Sequence, residues 1–148
     1  MRGRFCAFIR GLNLIADDEV FPLIGEDGFE RLVQAFYRQI ADDDILGPMY
    51  PKHDLQGAEE RLRDFLVFRF GGPLRYLETR GHPRLRMRHM PFAIDLEARN
   101  RWVLLMENAL LEAALPEEAS SVLQAFFSNT ATFMINRGPA DEISEPRP

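Results

Sequence analysis

The sequence holds one cysteine, Cys6. That excludes an intramolecular disulfide, a thiolate zinc site and a paired-thiol redox motif, and it makes a reducing cytoplasm the simplest compartment. Lysine is almost as scarce. Of the 18 basic residues only Lys52 is lysine, so a Schiff base or a phosphate-loop lysine has a single candidate in a poor context. No uninterrupted apolar run approaches the roughly 20 residues that span a bilayer, so no membrane partner is expected. Arg2 and Arg4 precede the run Phe5-Cys6-Ala7-Phe8-Ile9, but Arg10 interrupts it and no small-residue cleavage site follows, which is not the pattern of a targeting signal. An excess of positive charge is also missing. The net charge is −5, so broad attraction to nucleic acid is not expected and any basic site must be local.

What is present suits one helical domain. A chain of 148 residues with 46% hydrophobic residues can bury roughly 70% of its extended surface without cross-links. Apolar residues recur at helical spacing, with no sustained strand-like alternation, which predicts an all-α fold. Phe29, Leu32, Val33, Phe36, Tyr37 and Ile40 form one face of a first helix, with Asp27 and Gly28 as start signals. Ile45 to Pro48 reads as a tight turn or one short helical turn, and Tyr50-Pro51 as an extended step. A second helix runs from Gln56 to about Phe70 and stops at Gly71-Gly72-Pro73. Gly81 and Pro83 then break the pattern, leaving a short segment from Pro83 to His89. Asp95 is a good N-cap for a third long helix, with Leu96, Val103, Met106, Leu110, Leu111 and Trp102 along its apolar side. Pro116 opens a fourth, with Val122, Leu123, Phe126, Phe127, Ala131 and Met134 inside.

The ends differ. Residues 1–20 lack helical periodicity and read as an N-terminal extension whose removal should cost the fold little. Residues 139–148 carry three prolines and three acids around one isoleucine, the composition of a disordered acidic tail. The folded unit is therefore expected over 21–138.

Chemistry concentrates in the stretch Arg80-Gly-His-Pro-Arg-Leu-Arg-Met-Arg-His89, with four arginines, two histidines and no acid. Such a block is either a solvated rim or the seat of an anion, and a phosphate or carboxylate group suits it better than nucleic acid, because interleaved aromatics are absent. Among the three histidines, His53 lies in a polar turn and His82 is placed to pin its loop. His89 ends a short helical segment beside Met90-Pro91-Phe92. One imidazole without a thiolate or second histidine nearby is a poor zinc site but a sufficient axial ligand for haem iron, and a haem also offers two propionates to arginines. Tyr37, Tyr50 and Trp102 carry polar tips that could serve a bound ligand as donors or could simply pack. Nucleophile-elbow and glycine-rich phosphate motifs are missing, which removes the hydrolase and nucleotide-transfer readings.

These residues resemble the group II truncated, two-over-two haemoglobins. The resemblance runs from about Pro22 to Gly138 and is densest over Ala58-Glu-Glu-Arg-Leu62, Gly71-Gly-Pro73, Arg80 to Phe92, and Arg99 to Trp102. It implies a truncated globin fold, with haem b as cofactor and His89 as the proximal ligand. It also implies a distal site of Tyr37, Tyr50 and Trp102, and it places Leu62 and Phe65 in the distal wall. On the combined reading Arg61 and Arg88 meet the propionates, while Phe65, Met87, Phe92, Ile94 and Met106 supply apolar wall. Ala58 stands where ordinary globins carry a distal histidine, so ligand stabilisation falls to the tyrosine and tryptophan donors. The resemblance further implies binding of O2, NO and CO with tight O2 retention, redox chemistry of the NO dioxygenase or peroxidase kind, an external reductase, and a monomer or homodimer. No residue chooses among these reactions. The competing reading is a haem-free helical module whose arginine-rich segment docks an acidic partner.

Overall fold

The computed structural model describes residues 14–138, and the expectations for residues 1–13 and for the tail at 139–148 lie outside them. Six α-helices occur, with no strand among the described residues: α1 Val20–Ile40, α2 Leu55–Arg69, α3 Arg75–Arg80, α4 Leu85–His89, α5 Leu96–Ala113 and α6 Glu117–Met134. Two short 3-10 turns, Asp17–Glu19 and Gly47–Met49, lie in the connections.

The caps follow from sequence. Asp54 accepts a hydrogen bond from the Gly57 backbone N–H at 3.2 Å and starts α2, and Asp95 accepts from Ala98 at 2.8 Å and starts α5. Pro116 precedes α6, where a missing N–H costs nothing. At the other end of α2, Gly71 takes a positive φ of 99°, and a Cβ there would meet the Asp18 carbonyl.

α1 starts seven residues before the Asp27 signal. Gly25 breaks its helical dihedrals (φ 68°, ψ −179°), so a short first turn precedes the long periodic stretch. That turn was hidden in the sequence because it is too short to show a period, and Pro22 is tolerated so close to a helix start. This turn brings residues before 21 into contact with the helices. Val20 is fully buried, the Phe21 N–H donates to the Phe70 carbonyl at 2.9 Å, and Asp17 pairs with Arg69 at 2.9 Å.

α1 and α2 form one helix pair and α5 and α6 a second, with α1 packed chiefly on α5. Phe29, Leu32, Val33, Phe36 and Ile40 of α1 meet Leu66 and Val67 of α2, Met106 and Ala109 of α5, and Leu123 and Phe127 of α6 in one core. Each large apolar side chain buried there contributes roughly 1.5 to 3 kcal/mol. Leu111, expected on the inner face of α5, is 81% exposed, whereas Leu105 and Leu110 are buried. α3 follows α2 and α4 lies on α6, so the two short helices close one end of the stacked pairs.

Candidate functional site

A cavity of about 360 Å³ opens between α1, the loop leading to Tyr50, α2, α4, α5 and α6. Its walls are mainly apolar. On one side Tyr37, Tyr50 and Trp102 come together, contributed by α1, the loop and α5. Phe36 sits at the centre of this group, with ring centroids 5.2 Å from Tyr37, 6.4 Å from Tyr50 and 5.6 Å from Trp102. Tyr37 and Tyr50 meet edge to face at 5.6 Å. Burial raises the Tyr37 pKa, and the neighbouring Tyr50 adds to the effect. Burial likewise pushes Tyr50 up to about 12, partly offset by the Trp102 side chain, which hydrogen-bonds it. Indole N–H can only donate, so the Tyr50 oxygen is the acceptor. Both hydroxyls therefore remain protonated near neutral pH and are available as donors.

His89, Leu85, Phe92 and Ile94 line the same cavity. The His89 Nδ1 lies 2.7 Å from the Leu85 carbonyl oxygen. A carbonyl can only accept, so Nδ1 carries the hydrogen and Nε2 of the neutral ring keeps its lone pair. Asn136, just past α6, fixes the turn after His89. Its Nδ2 donates to the carbonyls of His89 at 3.3 Å and Phe92 at 2.9 Å, and its Oδ1 accepts from the Ile94 N–H at 2.9 Å.

Four arginines line the cavity: Arg61, Arg80, Arg88 and Arg99. Arg88 is spent largely on its own loop, donating to the carbonyls of Pro83 at 2.7 Å, Arg80 at 3.0 Å and His82 at 3.4 Å. Arg99 bonds Ser128 and Thr132 of α6. Arg61 reaches Asp54 at 3.4 Å. The Arg80 guanidinium has no partner among the described residues, which leaves it free for an anion in the cavity.

Residues 19–136 match the bacterial-like globin family. Group 2 truncated hemoglobin YjbI of Bacillus subtilis is 35% identical over 84% of this chain and 93% of its own length. The solved thermostable hemoglobin of Thermobifida fusca superposes with a TM-score of 0.76 at 46% identity, over 79% of this chain and 96% of that one. The truncated oxygen-avid haemoglobin of Bacillus subtilis gives 0.76 at 35% identity, over 79% and 98%.

The chain belongs to the group II truncated haemoglobins. Its two helix pairs are the two-over-two fold of that family, and membership carries haem-based binding of small gaseous ligands. The residues of this truncated haemoglobin fit a haem on their own chemistry. The cavity falls within the 300 to 1,000 Å³ range usual for cofactor sites, with one imidazole, an apolar lining and a cation that has no acid partner among the described residues. No cluster of three or more His, Cys, Asp or Glu that could hold a bare metal ion occurs among the described residues. No helix among them is long and apolar enough to cross a membrane.

Of the residues singled out in the sequence, Tyr37, Tyr50, Arg61, Leu62, Phe65, Arg88, His89, Phe92, Ile94 and Trp102 line the cavity of this truncated haemoglobin. Met87 and Met106 do not. Met87 is 58% exposed, because it stands two residues from His89 and therefore about 200° around α4. Met106 is buried in the core, where α5 lies on α1. Leu85, Arg80 and Tyr76 were missed. Leu85 was readable as the residue one turn before His89, and Arg80 as the first arginine of the basic block. Tyr76 gave no signal, since the short α3 shows no apolar face. His82 pins its loop through Nδ1, which accepts from the Arg84 N–H at 3.3 Å.

Proposed function

We propose that His89 is the proximal ligand of a haem b in this cavity, and that Tyr37, Tyr50 and Trp102 hold a diatomic ligand on the opposite side. The observation that carries this reading is the bond between His89 Nδ1 and the Leu85 carbonyl, which leaves the Nε2 lone pair to an apolar cavity that Tyr37, Tyr50 and Trp102 also line. A bound haem supplies an iron with one open coordination position at which O2, NO or CO binds.

Arg80 and Arg61, with the remaining donor of Arg88, balance the two propionates. Leu62, Phe65, Phe92 and Ile94 exclude water from the ring. Tyr37 and Tyr50 keep their protons at neutral pH and donate to a ligand that gathers negative charge, and Trp102 both donates and orients the Tyr50 hydroxyl. Ala58 brings no proton-carrying group to the cavity, so these three are the ligand's polar contacts. Such donors slow O2 release, in keeping with the oxygen-avid relative of Bacillus subtilis. Slow release opposes simple oxygen delivery and suits redox use of the ligand, as NO dioxygenation or peroxide chemistry, with an external reductase supplying electrons.

The reading of the arginine-rich segment as a dock for an acidic partner loses ground. Arg88 is tied to three carbonyls, and Arg86 is tied to the carbonyls of Phe133 and Ile135 at the end of α6. The absorption spectrum of the purified protein decides between the two. A Soret band that shifts on reduction and again with carbon monoxide supports the haem reading, and a colourless protein that haem does not reconstitute contradicts it.

A further inference from the structure

Tyr50 and Trp102 meet across the cavity wall, but they come from parts of the chain separated by three helices. Tyr50 ends a stretch with only one short 3-10 turn, a kind of segment whose position is not fixed by helix packing. Asp43 organises that stretch. Its Oδ2 accepts from the N–H groups of Ile45 at 3.1 Å and Leu46 at 2.7 Å. The turn then continues through Gly47 N–H to the Asp43 carbonyl, Met49 N–H to Leu46, and Tyr50 N–H to Gly47 at 3.2 Å.

The other carboxylate oxygen of Asp43 accepts from Arg101 Nη1 at 2.7 Å. Arg101 immediately precedes Trp102 on α5. The same nitrogen also reaches Asp44 at 2.8 Å, but the two acids differ sharply, with side-chain exposures of 6% for Asp43 and 83% for Asp44. Burial works against a charge on Asp43, and the hydrogen bonds from Leu46, Arg101 and Ile45 outweigh it and hold the carboxyl below its usual range. Arg101 itself does not line the cavity.

We propose that Asp43 and Arg101 are a positioning pair: their ion pair fixes the loop carrying Tyr50 against the helix carrying Trp102 and thereby sets the contact between the two polar tips. The pair acts on ligand retention only through Tyr50 and Trp102. The ligand readout rests on the haem reading above, while the structural readout does not.

Trp102 is the only tryptophan, so its indole N–H gives a single side-chain signal in a proton–nitrogen NMR spectrum. Exchange of that hydrogen with solvent is measured on the full chain, both carbon monoxide-bound with haem and without haem. In Arg101→Gln and in Asp43→Asn it should quicken about tenfold, while Asp44→Asn leaves it unchanged. Arg101 uses one nitrogen for both acids, so Arg101→Lys should restore most of the protection and serves where the neutral variants fold poorly. On the haem-loaded protein, Arg101→Gln should speed O2 release about fivefold and carbon monoxide release hardly at all, and should add nothing in a background that lacks both tips, Tyr50→Phe combined with Trp102→Phe.

Unchanged indole exchange in Arg101→Gln overturns the proposal, as does faster O2 release that persists when Tyr50→Phe and Trp102→Phe are both present. Failure of Arg101→Lys to protect overturns the ion pair as the cause. Absence of a Soret band in the parent protein overturns the haem reading instead, and the exchange measurement without haem still judges the pair.

Discussion

The side-chain amide of Asn136 donates to the carbonyl of His89 itself, at 3.3 Å, although 47 positions separate them. One residue just past α6 thus holds the turn that follows His89, bonding Phe92 and Ile94 as well. Asn136→Ala should cost about 2 kcal/mol, because it removes the side-chain partner of the Ile94 N–H and of the Phe92 carbonyl and leaves the His89 carbonyl only the Phe92 N–H. Thermal unfolding should fall by about 6 °C, and a shift under about 2 °C would show that water replaces the amide without loss.

Trp102→Phe keeps much of the ring and removes the donor. Loss of a hydrogen bond to a charged group is worth roughly 1.5 to 3 kcal/mol, so O2 release should quicken by about one to two powers of ten. Carbon monoxide gathers less charge and should leave at nearly its former rate. Stopped-flow measurement of both ligands checks this, and equal acceleration of the two would make Trp102 a steric wall.

Val20 is fully buried, so packing among the described residues begins before residue 21. Val20→Ala should lower stability by about 2 kcal/mol and the unfolding midpoint by about 5 °C. Truncation that removes residues 14–20 should cost more, since it also removes the pairing of Asp17 with Arg69. Retention of the parent midpoint by a chain starting at residue 21 would contradict this packing.

Tyr37 and Tyr50 have raised pKa values, that of Tyr50 reaching about 12, so folding favours their neutral forms. Their contribution to stability is present in full below the unfolded tyrosine value of about 10 and is lost as pH rises through the folded values. Tyr37 and Tyr50 should resist ionisation at about pH 10 and give phenolate absorbance only at higher pH or with alkaline unfolding. Ionisation of all three near pH 10 in the folded protein would contradict the burial of that wall.

The helices with strong caps and long periods were readable from the chain. Asp54 and Asp95 cap α2 and α5 as their positions suggest, and His89 stood out because an acid-free block led into Met90-Pro91-Phe92. Short elements were not. The turn from Val20 to Gly25 has too few residues to show a period, and α3 shows no apolar face that would have pointed to Tyr76. Met87 shows that hydrophobicity alone does not give helical phase: with His89 facing the cavity, Leu85 one turn back faces it and Met87 turns away. Arg88 was read as an anion ligand when its main partners are the carbonyls of its own loop, a use that no spacing rule separates from the other.

The central claim, that His89 is the axial ligand, is tested most directly by the iron–histidine stretching band in the resonance Raman spectrum of the reduced protein. The band should be present in the parent, in His53→Ala and in His82→Ala, and absent from His89→Ala, which should also retain haem poorly. An unchanged band in His89→Ala would contradict the account.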